Sequence, residues 1–149
     1  MSIKAVLHEA LRMQLSEKAE EARILLQAAI ESRNSDTKSS AGDKHETGRE
    51  MSQQVIDMCQ AESDKGDALL VTLKSLDPAS VHTKAALGSL ISTNHGWYYI
   101  SVGTGKIKAG DLEVFCISPG SPIGKAFMGL QKGENITFNG REYRIIDIL

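Results

Sequence analysis

Apolar residues recur at helical spacing through the first half of the chain. Between residues 3 and 32 most steps are of three or four, which places the apolar side chains on one face of a helix. They are Val6, Leu7, Ala10, Leu11, Leu15, Ala19, Ala22, Leu25, Leu26, Ala29 and Ile30. A weaker stripe with a polar middle follows in residues 46–76, at Met51, Val55, Met58, Leu69, Leu73 and Leu76. The pattern predicts two long amphipathic helices.

A polar segment separates the two stripes. Residues 33–43 (RNSDTKSSAGD) contain no apolar residue larger than Ala, which is typical of a loop. Two similar helices joined in this way are expected to fold back as an antiparallel hairpin, with arms roughly 45 Å long at about 1.5 Å per residue. We predict a coiled-coil hairpin over residues 1–76 with its tip near residues 34–50. From the pattern alone, a coiled-coil dimerisation element is an equally good interpretation.

The second half of the chain changes in pattern and composition. It contains all seven aromatic residues, all three Pro and ten of the 13 Gly. Short β-branched or aromatic runs alternate with turn signals, and Asn139-Gly140 is a strong hairpin signal. Residues 123–130 can form a short helix after Pro122. We therefore expect an α+β protein, in which residues 77–149 form a small antiparallel β domain of four or five strands with one short helix.

Charge and composition narrow the function classes. The net charge of −2 gives no global attraction to nucleic acid. No stretch approaches the roughly 20 apolar residues that span a bilayer, and no apolar segment typical of a secretory signal opens the chain. The two Cys are expected to be reduced thiols, and the four His show no metal-ligand spacing with them. We expect a cytoplasmic protein with no membrane partner.

The tip segment GDKHETGRE carries candidate metal ligands. Asp43, Glu46 and Glu50 share one face if the second helix begins near Asp43. Carboxylates are hard oxygen ligands suited to Mg²⁺, but two or three of them cannot complete its coordination, so a partner would supply the rest. The alternative is a capping box, with Asp43 as N-cap and Glu46 at the third helical position.

Four basic residues surround the same tip. They are Arg33, Lys38, Lys44 and Arg49. A basic cluster beside carboxylates suits a phosphate-bearing ligand such as a single RNA strand. Because no aromatic side chain is available to stack on a base, any contact would be to the RNA backbone. An ordinary solvated loop is an equally good interpretation.

Together, the tip and the C-terminal block ISPGSPIGKAFMGLQKGENITFNGREYRIIDIL support a family resemblance. The chain resembles the Gre-type transcript-cleavage factors of bacterial RNA polymerase over nearly its whole length. The shared features are an N-terminal coiled coil followed by a small β domain, a Gly-Asp tip with Glu three residues after the Asp, and the Ser-Pro-Ile helix start followed by Gly-Lys. The C-terminal block is the most specific of the three.

The resemblance implies a function. The C-terminal domain would be FKBP-like and would dock on RNA polymerase, while the coiled coil enters the polymerase secondary channel. There Asp43 and Glu46 would help to hold the second Mg²⁺, so that the polymerase cuts backtracked RNA near its 3′ end. The factor would be a monomer and not itself an enzyme. Pro122, Ile123, Phe127 and Met128 are the candidate docking residues, and the alternative for the three apolar residues after Pro122 is burial in the core.

Three other interpretations remain open. In this family further residues, including an aromatic, usually separate the tip Glu from the next basic residue, whereas here Glu46 runs directly into Thr47-Gly48-Arg49. The chain could therefore be a regulator that binds the channel without stimulating cleavage. An FKBP-like fold also suggests a prolyl isomerase, which needs an aromatic-lined pocket. A homodimeric coiled-coil scaffold is the last alternative.

Overall fold

The structure, a computed structural model, has an α+β fold. It describes the backbone of residues 2–39 and 43–149 and the side chains of residues 2–35 and 48–149. The chain divides into two compact units. The helical unit is Met13–Leu70, and the β unit combines Met1–Arg12 with Val71–Leu149. Composition changes at about residue 76, but the first turns of one long helix and the end of the other belong to the β unit.

Two long helices form the N-terminal half. Helix α1 spans Ile3–Ser39 and helix α2 spans Asp43–Lys74. They run antiparallel, because Ala19 lies against Gly66 while Arg33, farther along α1, bonds Gln53, which is earlier in α2. The predicted helical hairpin is therefore confirmed.

Helix α1 is longer than its apolar stripe. The polar segment after residue 32 was expected to be a loop, yet α1 continues to Ser39. Adding a residue to an existing helix fixes only that residue for one more hydrogen bond, so elongation tolerates polar side chains that could not start a helix. Among the described residues, no helix is long and apolar enough to cross a membrane.

Six strands form one mixed sheet in the part of the chain that the structure describes, in the order β3-β4-β2-β1-β6-β5. A short helix, α3, spans Pro122–Phe127 between β4 and β5. The strands are β1 (Leu90–Thr93), β2 (Gly96–Ile100), β3 (Gly105–Ala109), β4 (Leu112–Ile117), β5 (Asn135–Phe138) and β6 (Arg141–Ile148). The small β domain with one short helix is confirmed.

The sheet differs from the expected one in two ways. Strand β3 was not predicted, because GKIKA combines a glycine and two lysines with one large apolar residue, Ile107. In addition, β2 and β4 pair in parallel, with Trp97 opposite Val114, so the sheet is not wholly antiparallel. The chain leaves β2, forms the outer strand β3 and returns through a hairpin, and this return brings β4 between them in the direction of β2.

Alternate residues of β2 face opposite sides of the sheet. Tyr98 and Ile100 belong to a buried cluster that includes Phe127 of α3. Tyr99 points the other way and contacts His8 of α1, with 2.9 Å between the Tyr99 hydroxyl and His8 Nδ1. The start of α1 and helix α3 therefore cover opposite faces of the sheet within the β unit.

Candidate functional site

The acidic tip lies at the start of α2. Asp43 is the first residue of that helix, so Asp43 and Glu46 lie in its first turn. The side chains of Asp43, Glu46, Lys38 and Lys44 lie outside the described residues. Neither the metal-ligand nor the capping-box interpretation is therefore tested, and both remain predictions. Among the described residues, no group of His, Cys, Asp or Glu could hold a metal ion.

The two described basic residues of the tip have different surroundings. Arg33 is half-buried, and its Nη1 donates a hydrogen bond to Gln53 Oε1 of α2 at 3.2 Å. Gln53 Nε2 in turn donates to Asp57 Oδ1 at 2.9 Å, so the guanidinium is held by a short chain of side chains. Arg49 is exposed. Sequence reasoning missed Gln53 and Asp57, although their spacing of four residues on one helix could have indicated the pair.

The Ser-Pro-Ile-Gly block builds the start of α3. Ser121 is the N-cap: its hydroxyl accepts a hydrogen bond from the Gly124 backbone N–H at 3.1 Å and donates one to the Ser118 carbonyl at 2.7 Å. Pro122 occupies the first helical turn, where its missing N–H costs nothing. A Cβ at Gly124 would lie 2.0 Å from the Ser118 carbonyl oxygen. The N-cap bond at Ser121 and the close backbone approach at Gly124 therefore account for much of the residue choice in this block.

The four candidate docking residues do not form one surface. Phe127 is fully buried, with its ring centroid 5.1 Å from that of Tyr98 and 5.6 Å from that of Tyr143. Ile123 packs partly against the same core, whereas Pro122 is exposed and Met128 is 39% exposed. In this structure Phe127 is a core residue, so a direct docking contact is open only to Pro122 and Met128 and in part to Ile123.

An exposed aromatic that sequence reasoning missed lies on the same face of the sheet. Phe115 of β4 is 38% exposed and stacks on Tyr98 with 5.3 Å between ring centroids. Lys106 Nζ lies 5.9 Å from the Phe115 centroid and 2.9 Å from Glu113 Oε2. The alternation of β4, in which Val114 and Cys116 are buried, could have predicted that Phe115 faces the other side.

The aromatic rings of the β unit fill its core. Tyr98, Phe127 and Tyr143 pack edge to face within 6.1 Å of one another. This arrangement leaves these three rings no room to line an open pocket of the kind that a prolyl isomerase requires. Burial raises the pKa of Tyr98 to about 12, and a hydrogen bond with Tyr143 adds to the effect.

A partly buried polar contact joins α1 to β2 within the β unit. Burial raises the pKa of Tyr99 to about 12 and, on the other partner, lowers the pKa of His8 below its ordinary value. The hydrogen bond of 2.9 Å between His8 Nδ1 and the Tyr99 hydroxyl attaches the start of α1 to the sheet. Nearby, Lys4 Nζ donates to the Ser80 carbonyl oxygen at 2.8 Å.

The chain was compared with family models, curated proteins and solved structures. A scan against family models and a search of curated proteins both found no match. Among solved structures, one described as the "Structure of the transcription factor Gfh1" matches 93% of this chain and 93% of its own, at 23% sequence identity and a TM-score of 0.38. A TM-score of that size reflects a loose superposition, and the candidate site stands on the residues of this chain.

Proposed function

We propose that this protein is a Gre-type transcription factor that binds RNA polymerase, inserts its helix pair into the secondary channel and stimulates cleavage of backtracked RNA. The observation that carries the proposal is the combination of an antiparallel helix pair, acidic residues where α2 begins, and a β unit whose α3 is built from Ser-Pro-Ile-Gly. The sequence resemblance rests on the same three features. The protein would act through the nuclease activity of the polymerase and would not itself be an enzyme.

The dimensions of the helices suit insertion into a narrow channel. Helix α1 has 37 residues and α2 has 32. At about 1.5 Å per residue they are roughly 55 and 48 Å long. The start of α2 is thus far along both helices from the ends that belong to the β unit, and we propose that this end of the helix pair enters the channel.

The donor set at the start of α2 suits a shared metal. Asp43 and Glu46 offer hard carboxylate oxygens, but Mg²⁺ demands six ligands in near-octahedral geometry. We therefore infer that the polymerase supplies the remaining ligands. The ion would supply an activated water and stabilise the leaving oxygen. The role of this chain is to add negative charge and orientation, and Arg33, held by Gln53, would contact RNA phosphate.

A matched set of substitutions tests the proposal. Asp43→Asn and Glu46→Gln keep the hydrogen-bonding shape and remove the charge, while Glu50→Gln, one turn farther along α2, is the control. We expect cleavage of backtracked RNA to fall by about two orders of magnitude or more in the double variant, because a metal-activated water gains several kcal/mol from its ion. Binding to the polymerase should persist. If the carboxylates only cap the helix, cleavage is unchanged and the cost is about 1 kcal/mol of local stability.

The second candidate is a channel-binding regulator that does not stimulate cleavage. Gly48 favours it, because a Cβ at that position would meet nothing within 4 Å and no described neighbour requires a glycine there. A glycine in a helix costs about 1 kcal/mol relative to Ala and loosens the segment that carries the acids. This candidate predicts that the wild-type protein binds RNA polymerase without stimulating cleavage. It further predicts that the Gly48→Ala variant binds equally well and does stimulate cleavage.

A further inference from the structure

Two arginines of α1 reach across to α2, and they meet different partners there. Arg23 bonds a carboxylate on each helix. Its Nη1 donates to Glu20 Oε2 at 2.6 Å, and its Nη2 donates to Asp67 Oδ1 of α2 at 3.2 Å. Two opposite charges at hydrogen-bond distance balance the charge of the guanidinium. Arg23 is therefore a link between the helices.

Arg33 meets an amide instead of a carboxylate. Its Nη1 donates to Gln53 Oε1 at 3.2 Å, and among the side chains of residues 2–35 and 48–149 it forms no ion pair. An amide oxygen accepts the hydrogen bond without supplying a negative charge, so the guanidinium keeps its positive charge. A guanidinium has five N–H donors, and this bond uses one of them. Arg33 is therefore held by α2 and is still able to bind an anion.

The amide that holds Arg33 is itself held in place. Gln53 Nε2 donates to Asp57 Oδ1 at 2.9 Å, one helical turn farther along α2. Each of the two bonds has one charged partner, and such bonds are shorter and stronger than bonds between neutral groups. The amide thus separates the guanidinium from the carboxylate, while the carboxylate stops the amide from turning away.

A second pair of the same kind lies on α2 without an arginine. Gln60 Nε2 donates to Asp64 Oδ1, also at 2.9 Å and also four residues on. The two glutamines are seven residues apart, which places them on nearly the same side of the helix. The bond between Gln and Asp therefore forms whether or not an arginine is present, and Gln60 is a matched control for Gln53.

We propose that Gln53 and Asp57 are positioning residues that hold Arg33 in the orientation in which it binds an RNA phosphate. This inference rests on the proposed function and adds the residues that orient one of its contacts. Gln53 comes ten residues after Asp43, roughly 15 Å along α2 at about 1.5 Å per residue. The phosphate that Arg33 binds therefore belongs to a different nucleotide from the one that is cut. Its contact adds affinity for the RNA rather than speed to the cleavage step.

NMR relaxation of the Arg33 Nε–H group tests the positioning in the full chain without a partner. In the wild type we expect this group to be ordered. Gln53→Leu removes the acceptor and should lower the order parameter below about 0.6, the range of flexible groups. Gln53→Glu keeps an acceptor and should leave the group ordered. Gln60→Leu should change nothing, because Gln60 bonds Asp64 only.

Binding to two RNA polymerase complexes tests the contact with RNA. One complex is backtracked, and the other has the RNA 3′ end in register, so that no RNA is extruded. Gln53→Leu should raise the dissociation constant for the backtracked complex about 2- to 12-fold, because Arg33 must then be ordered during binding. The dissociation constant for the complex in register should stay the same, and Gln60→Leu should alter neither value.

Gln53→Glu separates charge from order. It would balance the charge of Arg33 as Glu20 and Asp67 balance that of Arg23. We expect the dissociation constant for the backtracked complex to rise about tenfold or more, although Arg33 remains ordered. The slope of log affinity against log salt concentration should become shallower by about 0.7, the value for one phosphate contact of a single strand. Gln60→Glu adds the same charge and should have neither effect.

The outcomes distinguish this inference from the proposed function. A chain that binds neither complex overturns the proposed function and this inference with it. If the chain binds both complexes but its Gln53 variants bind the backtracked one as the wild type does, only the positioning role is overturned. Equal losses in the Gln53 and Gln60 variants would also overturn it, as would an Arg33 Nε–H group that is as mobile in the wild type as in Gln53→Leu.

Discussion

Replacing Gly124 by Ala is the sharpest test of how the Ser-Pro-Ile-Gly block builds the β unit. The added Cβ would lie 2.0 Å from the Ser118 carbonyl oxygen and 2.9 Å from Ser121 Oγ. The first neighbour is backbone, so it cannot rotate away, and the loop before α3 must move by more than 1 Å to reach ordinary contact. That movement breaks the bond from the Gly124 N–H to Ser121 Oγ, which is 3.1 Å long.

The cost can be estimated from its two parts. Forcing an extra methyl group into a packed site costs about 1–3 kcal/mol, and losing an N-cap costs about 1 kcal/mol. We therefore expect Gly124→Ala to lower the free energy of unfolding by about 3 kcal/mol. For a unit of this size, each kcal/mol shifts the melting temperature by about 4–8 °C, so the expected drop is roughly 12–24 °C.

Near-UV circular dichroism follows this change selectively, because all seven aromatic residues lie in the β unit. Gly120→Ala is the matched control, since a Cβ there meets nothing within 4 Å and Gly120 is in the same loop. The control should melt within about 2 °C of the wild type, as surface substitutions usually do. A Gly124→Ala protein that melts with the control would refute the steric argument and leave the glycine without a structural reason.

Three further predictions follow from the buried and exposed positions. Phe127→Ala should lower the free energy of unfolding by about 3–5 kcal/mol, because it truncates a core side chain. Met128→Ala should lower it by less than about 0.5 kcal/mol but, if α3 docks on the polymerase, should weaken co-purification with it. Thermal melts and pull-downs of both variants measure the two effects. Burial lowers the pKa of His8 in the folded protein below the ordinary histidine value of 6.5. Near and below pH 6.5 the unfolded chain therefore binds more protons than the folded one, and the free energy of unfolding should fall as the pH drops through that range. His8→Gln should reduce this pH dependence in melting curves, and an unchanged dependence would contradict the assignment. Gly66→Ala should raise helical stability by up to about 1 kcal/mol, since its Cβ only reaches ordinary contact with Ala19, whereas Gly66→Leu should lower it in far-UV melts.

Sequence periodicity predicted the long helices, the short helix and five of the six described strands, but not how the strands pair. The helical hairpin follows from apolar steps of three and four, which are local properties. Strand β3 escaped prediction because its identity depends on pairing with β4 and only Ile107 marks a buried position. The parallel pairing of β2 with β4 depends on where the chain returns after β3, and no local pattern encodes that choice.

The sequence predicted where the candidate site residues lie along the chain better than it predicted which side chains they contact. The prediction that Asp43 and Glu46 share one face depended on α2 beginning near Asp43, and α2 does begin there. The sequence left open whether Phe127 is buried, because the apolar spacing of one short helix does not show whether that face meets the core or the solvent. Arg33 was predicted as a phosphate contact, but its bond to Gln53 required the neighbouring helix.

The central claim is that the start of α2 reaches the polymerase active centre. An iron chelate tethered to a cysteine at position 45, in a Cys59→Ser chain, tests it directly, because Cys116 is buried and should not take the label. The control carries the tether at position 13, on an exposed residue of α1. In a backtracked elongation complex, we expect the position 45 tether to cut the RNA near its 3′ end and the control to leave that end intact. The claim is contradicted if the complexes retain the protein but neither tether cuts the RNA near its 3′ end.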